Sequence, residues 1–186
     1  MRPVKITLAL DPGVVHPAIA AFHDGVLVHA SRVRLPAALS EQDPTARELG
    51  VASHVVDAAS RWLALGAEYD LVVERPQVYR AARSLGDPND LLGLAGVNAA
   101  VAALLGCRAG HAPVAIRSYL PREWAGTVPK AKKVSEIWTS PRGRRVRAVL
   151  SDAEFGAVTP SHDAVDAVGI GLHHLGRRVQ KLIRRS

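Results

Sequence analysis

The chain has 186 residues, enough for one compact domain that buries about 70% of its unfolded surface without disulfide staples. Its single cysteine, Cys107, excludes an intramolecular disulfide and every Cys/His zinc spacing, and suits a reducing compartment. Lysine and arginine number 24 against 17 acids, a formal charge of +7 that points to a polyanionic partner, nucleic acid first, while 4% aromatic content argues against extensive base stacking.

The opening MRPVKITLALDPG does not read as a signal peptide, because its apolar stretch is about five residues long and runs into Asp11. No run is read as approaching the roughly 18 apolar residues of a membrane span. The expectation is a soluble, cytoplasmic, nucleoid-associated protein with no membrane partner. Residues 4–10 (VKITLAL) alternate and then run apolar, as a central strand does, and Pro12-Gly13 ends them. Residues 18–23 and 26–34 read as two more strands, joined through Asp24-Gly25, a strong hairpin signal.

A helix follows, started by Asp43-Pro44 or by the capping pair Thr45 and Glu48, and ended by Gly66. Its buried face is expected to hold Leu49, Ala52, Val55, Val56, Ala59, Trp62 and Leu63. A strand from Tyr69 to Val73 runs straight into Glu74. Residues 75–90 read as a loop, 89–105 as a helix ending at Gly106, and 113–118 as a fifth strand. A helix is expected over 131–139, a break at Pro141–Gly143 and a helical piece over 144–150. Ser151 and Glu154 form a capping box, and the last helix runs from Ser161 to about Leu175. The order β-β-β-α-β-α-β-α is an α/β layer architecture with a mixed five-stranded sheet, an antiparallel three-strand meander extended by parallel strands with crossover helices. Residues 1–176 read as a single domain and 177–186 as a basic tail. Positive charge gathers late: residues 120–150 hold Arg122, Lys130, Lys132, Lys133, Arg142, Arg144, Arg145 and Arg147 against only Glu123 and Glu136.

Four acids stand out by placement. Asp11 and Glu74 end strands, where open α/β sheets build their sites. Asp163 and Asp166 lie three apart in the last helix, hence on one face, and Asp166 interrupts an apolar surface. A buried carboxylate needs a charge partner or a metal, and several together repel one another unless divalent cations hold them. Mg²⁺ suits such a set, and two such ions hydrolyse phosphodiesters. Each acid also has a plainer reading: Asp11 as a turn residue, Glu74 as a solvated loop start, Asp163 as a helix-dipole partner. His162 reads as an exposed first-turn residue or an auxiliary ligand or proton shuttle. Asn98, inside an apolar helix, reads as a hydrogen-bonded core or interface group.

On these motifs the chain resembles the RuvC-type Holliday junction resolvases of the RNase H-like superfamily. LALDPG is similar to the family's first strand with its Asp, LVVERPQVY to the strand ending in the catalytic Glu, NDLLGLAGVNAAVAALL to the following helix. PKAKKVSEIW resembles the lysine-bearing segment, and HDAVDAVGIGLHHL the closing D-x-x-D-A helix. The resemblance implies an RNase H-like fold and a homodimeric, Mg²⁺- or Mn²⁺-dependent crossover junction endonuclease with two metals per site. Such enzymes nick two opposed strands of a four-way DNA junction. It makes Asp11, Glu74, Asp163 and Asp166 the catalytic metal ligands. It assigns phosphate contact to Lys130, Lys132 or Lys133, junction-base stacking to Tyr79, and further DNA contact to Arg83. Departures fall at Pro17 and in TSPRGRRVRAVLSDAEFGAVT, and suit a phage or mobile-element branch. The alternatives are action on flaps, forks or RNA–DNA hybrids, or non-catalytic junction binding. An actin-like ATPase is excluded by length and by the lack of a second Asp-x-Gly strand.

Overall fold

The structure, a computed structural model, describes residues 4–63, 67–76, 88–126, 128, 130–131 and 133–177, with 88–90 described by their backbone alone. Three strands, β1 (Ile6–Asp11), β2 (Ala18–His23) and β3 (Val26–Arg32), form the expected antiparallel meander. Its tight turn puts Asp24 at φ 48° and Gly25 at φ 81°, the positive values that the Asp-Gly pair tolerates. Strand β4 (Tyr69–Glu74) pairs parallel with β1, and β5 (Ala115–Tyr119) parallel with β4, giving the sheet order β3-β2-β1-β4-β5. This is the mixed five-stranded α/β sheet read from the sequence.

Helices cover both faces. On one face lie α1 (Pro44–Ser60) and α2 (Pro88–Ala109). On the other lie α3 (Pro121–Trp124), α4 (Pro141–Arg147), α5 (Asp152–Gly156) and α6 (His162–His174). The period-2 alternation of strands sorts the residues. Ile6, Leu8 and Leu10 of β1, with Tyr69, Leu71 and Val73 of β4, bury toward α1 and α2. The alternate positions are smaller or polar: Thr7, Ala9 and Asp11 on β1, and Asp70, Val72 and Glu74 on β4, with Ala9 and Val72 in the core under α6. Helix α6 lies close on the sheet because its own surface is slim. A Cβ on Gly169 would stand 2.6 Å from the Trp124 ring, and one on Gly171 would stand 2.2 Å from Phe22.

Several local expectations are corrected. Leu49 is exposed; the buried face of α1 is Val51, Ala52, Val55, Val56 and Ala59. Gly50 faces Leu39, from a short 3-10 turn at Ala37–Glu41 that sequence periodicity does not reveal. The start of α1 is the Asp43-Pro44 alternative, with Asp43 accepting from the Thr45 amide at 2.9 Å; its helical hydrogen bonding stops at Ser60, short of Gly66. In place of a helix over 131–139, the described residues of that range form a 3-10 turn at Val134–Glu136. The expected break at Pro141–Gly143 is instead the first turn of α4. Pro141 occupies the position that needs no amide, Ser140 caps by accepting from Gly143 N at 3.1 Å, and Gly143 sits where a Cβ would strike the Ile137 carbonyl. The Ser151–Glu154 capping box forms as read.

Two further differences matter. Leu91–Ala109 in α2 is long and apolar enough to cross a membrane by length and composition, with mean hydropathy 1.6, contrary to the reading that no run approaches that length. Here Val97, Val101 and Leu105 seal one stripe of α2 into the core, while Leu92 and Leu104, which also raise the average, stay exposed. Arg177, assigned by sequence to the basic tail, is anchored in the body. It donates to both Glu154 oxygens, to the Gly25 carbonyl at 3.1 Å and to the Val149 carbonyl at 2.6 Å.

Candidate active site

Strand parity brings the first two acids together. Leu10 and Val73 are register partners on parallel neighbours, so Asp11 and Glu74, the next residues, leave the sheet side by side on the α6 face. Burial, then the charges of Glu74, Asp166 and Asp163, push the Asp11 carboxyl well above its ordinary range against the pull of Lys130. Glu74 is pushed up to about 7, first by burial and then by Asp166, although Lys130, Trp124 and Arg142 oppose the shift. Two neighbours hold Glu74 in place. Trp124 Nε1 donates to its Oε2 at 3.2 Å, and Asn98 Nδ2, from α2, donates to its backbone carbonyl at 3.2 Å. Asn98 is thus a hydrogen-bonded polar group, as read.

The other two acids come from α6, whose N-terminus is fixed by Ser161 accepting from Ala164 N at 3.0 Å. Asp163 is half-buried in the first turn, and its charge is felt at Asp11. Asp166, one turn on, is 1% exposed. It is ion-paired with Lys130, and Arg142 Nη1 donates to its two oxygens at 3.0 and 3.1 Å. The second Arg142 nitrogen donates to the Val128 carbonyl at 2.8 Å, and its guanidinium carbon lies 5.2 Å from the centre of the Trp124 ring. Burial pulls the Lys130 ammonium down, but Asp166 and Asp11 outweigh it and leave the group raised, hence charged.

The four carboxylates named from the sequence therefore share one electrostatic neighbourhood, and Lys130 of the three candidate lysines joins them. His162, half-buried, lines the same crevice as Lys130, Arg142 and Asp166. Lys133 is exposed. Tyr79, Arg83 and Lys132 lie outside the described residues. Sequence reasoning missed Trp124 and the distinct role of Arg142, which it counted only as one of many basic residues.

Among the described residues, no three Asp, Glu, His or Cys side chains form a ready-made metal cage. The Asp166 oxygens are taken by two cationic side chains. The donor set is nonetheless all carboxylate oxygen, which suits Mg²⁺ or Mn²⁺ rather than zinc. Four carboxylates face two cations, and the raised values at Asp11 and Glu74 show that the positive charge supplied by Lys130 and Arg142 does not offset the burial and repulsion. A divalent cation would relieve that excess, so the residues fit one.

No protein-family model matches the chain, and no curated protein matches it. Among solved structures it is similar to Thermus thermophilus RuvC in complex with a Holliday junction substrate, with 18% identity, a TM-score of 0.55, and 92% of each chain covered. A second T. thermophilus RuvC structure matches with 19% identity and a TM-score of 0.51, covering 92% of this chain and 97% of that one. The likeness is one of fold: the chain has the RNase H-like architecture of these RuvC structures.

Proposed function

We propose that the chain is a divalent-metal-dependent endonuclease that resolves four-way DNA junctions by paired, symmetric nicks. One observation carries the reading. Asp11 and Glu74 end adjacent parallel strands on the same face, against Asp163 and Asp166 of α6, with Lys130 and Arg142 beside them. The RuvC-like fold and the +7 charge support it. The four carboxylates would hold two Mg²⁺ or Mn²⁺ ions, which supply an activated water and stabilise charge on the phosphodiester being cut. The chain's own groups do the rest. Trp124 and Asn98 fix the Glu74 carboxyl and the strand end that bears it. Lys130 sets positive charge where a DNA phosphate has to enter. Opposed strands of a junction need two sites, so the reading carries a homodimer.

The test is cleavage of a synthetic mobile four-way junction with Mg²⁺ or Mn²⁺, mapped to the nucleotide, beside a flap, a fork and an RNA–DNA hybrid. Paired nicks at symmetric positions support the reading. Faster cleavage of another substrate moves the assignment to it, and junction binding without any nicking overturns the enzyme.

A further inference from the structure

Among the described residues, two buried acids on the α6 side of the sheet are paired with an arginine, and the pairs are built differently. Glu154 is completed by the backbone: Leu27 N donates to it at 3.0 Å and Ser151 N at 2.9 Å, while Arg177 reaches both oxygens and two carbonyls besides. That pair is a permanent clamp. For Asp166, the hydrogen bonds and ion pairs among the described residues come from two side chains alone, Lys130 and Arg142. Arg142 leaves its Nε buried and unpaired there. Its perch is nevertheless well made: the guanidinium lies over Trp124, whose indole N–H holds Glu74, and its second nitrogen binds the Val128 carbonyl. The side chain is 13% exposed and borders the crevice shared with Lys130 and His162.

We propose that Arg142 is a resident counter-ion that competes with the divalent cation for Asp166. Binding of the cation transfers Asp166 from the guanidinium to the metal and frees Arg142 to meet the DNA phosphate. The inference rests on the metal-dependent reading above and adds to it a positioning residue and an order of events. Arg142 holds both Asp166 oxygens in place on the α6 face, so the cation meets a carboxylate that is already positioned. The exchange also gives the unpaired Nε a partner, since a phosphate offers several acceptor oxygens to a planar guanidinium. A lysine at this position could not hold both Asp166 oxygens and the Val128 carbonyl with one compact ammonium.

The experiment measures Mn²⁺ binding to the full chain by calorimetry, with no DNA present, for the native protein, Arg142→Met, Arg142→Lys and Asp11→Asn, with thermal unfolding recorded for each. A second readout is Trp124 emission on Mg²⁺ addition, in a chain carrying Trp62→Phe and Trp138→Phe. Removing a unit positive charge beside the cation removes both repulsion and competition, so Arg142→Met should bind Mn²⁺ at least about tenfold more tightly. Arg142→Lys should fall between the two. The Trp124 emission shift on cation binding should be larger in the native background than in the Met variant, where only the contact with Glu74 remains to report it. Junction cleavage by the Met variant should fall despite its tighter metal. Unchanged or weaker Mn²⁺ binding by a folded Met variant overturns the exchange; if that variant does not fold, the same result with the Lys variant overturns it. Saturable binding lost in Asp11→Asn but indifferent to Arg142 sinks this inference alone. No saturable binding by the native chain sinks the metal-dependent reading together with it.

Discussion

Two sets of carboxylates, one buried and one half-buried, lie under the α6 layer, and their chemistry runs in opposite directions. Glu154 is held down to about 2, first by Arg177 and further by the Leu27 and Ser151 amides, which outweigh its burial. Asp70 is likewise lowered: burial pushes it up, but hydrogen bonds from His174 and Lys5 outweigh that. Asp11 and Glu74, on the same face of the same sheet, are raised. Burial alone therefore does not mark a functional site. What differs is whether the fold supplies enough positive charge and enough N–H groups. Where it does, the acid holds structure together. Where it leaves an excess of negative charge at strand ends, something from outside has to complete the set.

The largest effect expected from that contrast lies at Asp11. Asp11→Asn keeps the size of the side chain and removes its charge, so the remaining acids repel less and the fold should tolerate the change. Cleavage of a four-way junction should fall by several kcal/mol of transition-state stabilisation, on the order of a thousandfold, with junction affinity largely kept. Single-turnover nicking beside a gel-shift titration measures both. Full Mg²⁺-dependent nicking by the variant would break the comparison, because Asp11 would then be another structural acid.

Glu154 should respond in the opposite way. Glu154→Ala leaves the half-buried Arg177 without its acid partner and the Leu27 and Ser151 amides without their acceptor, a loss of about 1–3 kcal/mol read from denaturant unfolding, with Mn²⁺ affinity of the folded fraction unchanged. The pH dependence has a definite sign. The folded value of Glu154 lies below its ordinary 4.5, so its contribution is complete above that value. It is lost as pH falls from about 4.5 toward 2, and the native chain should lose stability over that window more steeply than Glu154→Gln.

The close approach of α6 to the sheet gives a smaller effect. In Gly171→Ala the new Cβ meets Phe22, a ring with no exposure at all, so the helix or the ring has to move. Overpacking of this kind costs about 1–3 kcal/mol. If the shift reaches Asp166, one turn earlier, metal affinity should fall along with stability; if it does not, stability alone should change.

The strand-end acids were legible because Pro12-Gly13 marks where β1 stops and because the apolar run of β4 goes straight into Glu74. Asp166 was legible as a charge interrupting an apolar helix face. Arg142 was not: in sequence it is one of several equivalent arginines, and it is singled out by its contacts with Asp166, the Val128 carbonyl and the Trp124 ring. Trp124 sits in a helix of four residues, too short for any periodicity to register, and its partner Glu74 is 50 positions away. The region 131–139 looked helical by pattern but its described residues form a 3-10 turn, with Ile137 buried in the core under α6. The assignment of Leu49 to the core failed for the converse reason: helical spacing allowed two adjacent stripes, and packing on the sheet selected the one holding Val51.

The cations offer the finest test of the same contrast. Both lysines are exposed, but Lys130 pairs with Asp166, whereas Lys133 lies three residues away on the surface. If Lys133 serves only to meet DNA backbone, Lys133→Ala should leave unfolding and Mn²⁺ affinity unaltered. It should weaken junction binding modestly and evenly across sequences, and flatten the plot of log affinity against log salt by about 0.9, the value for one phosphate no longer neutralised. Lys130→Ala should behave differently, since it takes a charge from Asp166 and Asp11 as well as from the DNA. Metal affinity should then change along with the salt slope. Equal changes in both quantities for the two variants would mean that the distinction between a site cation and a surface cation, resting on the ion pair to Asp166, has no consequence in solution.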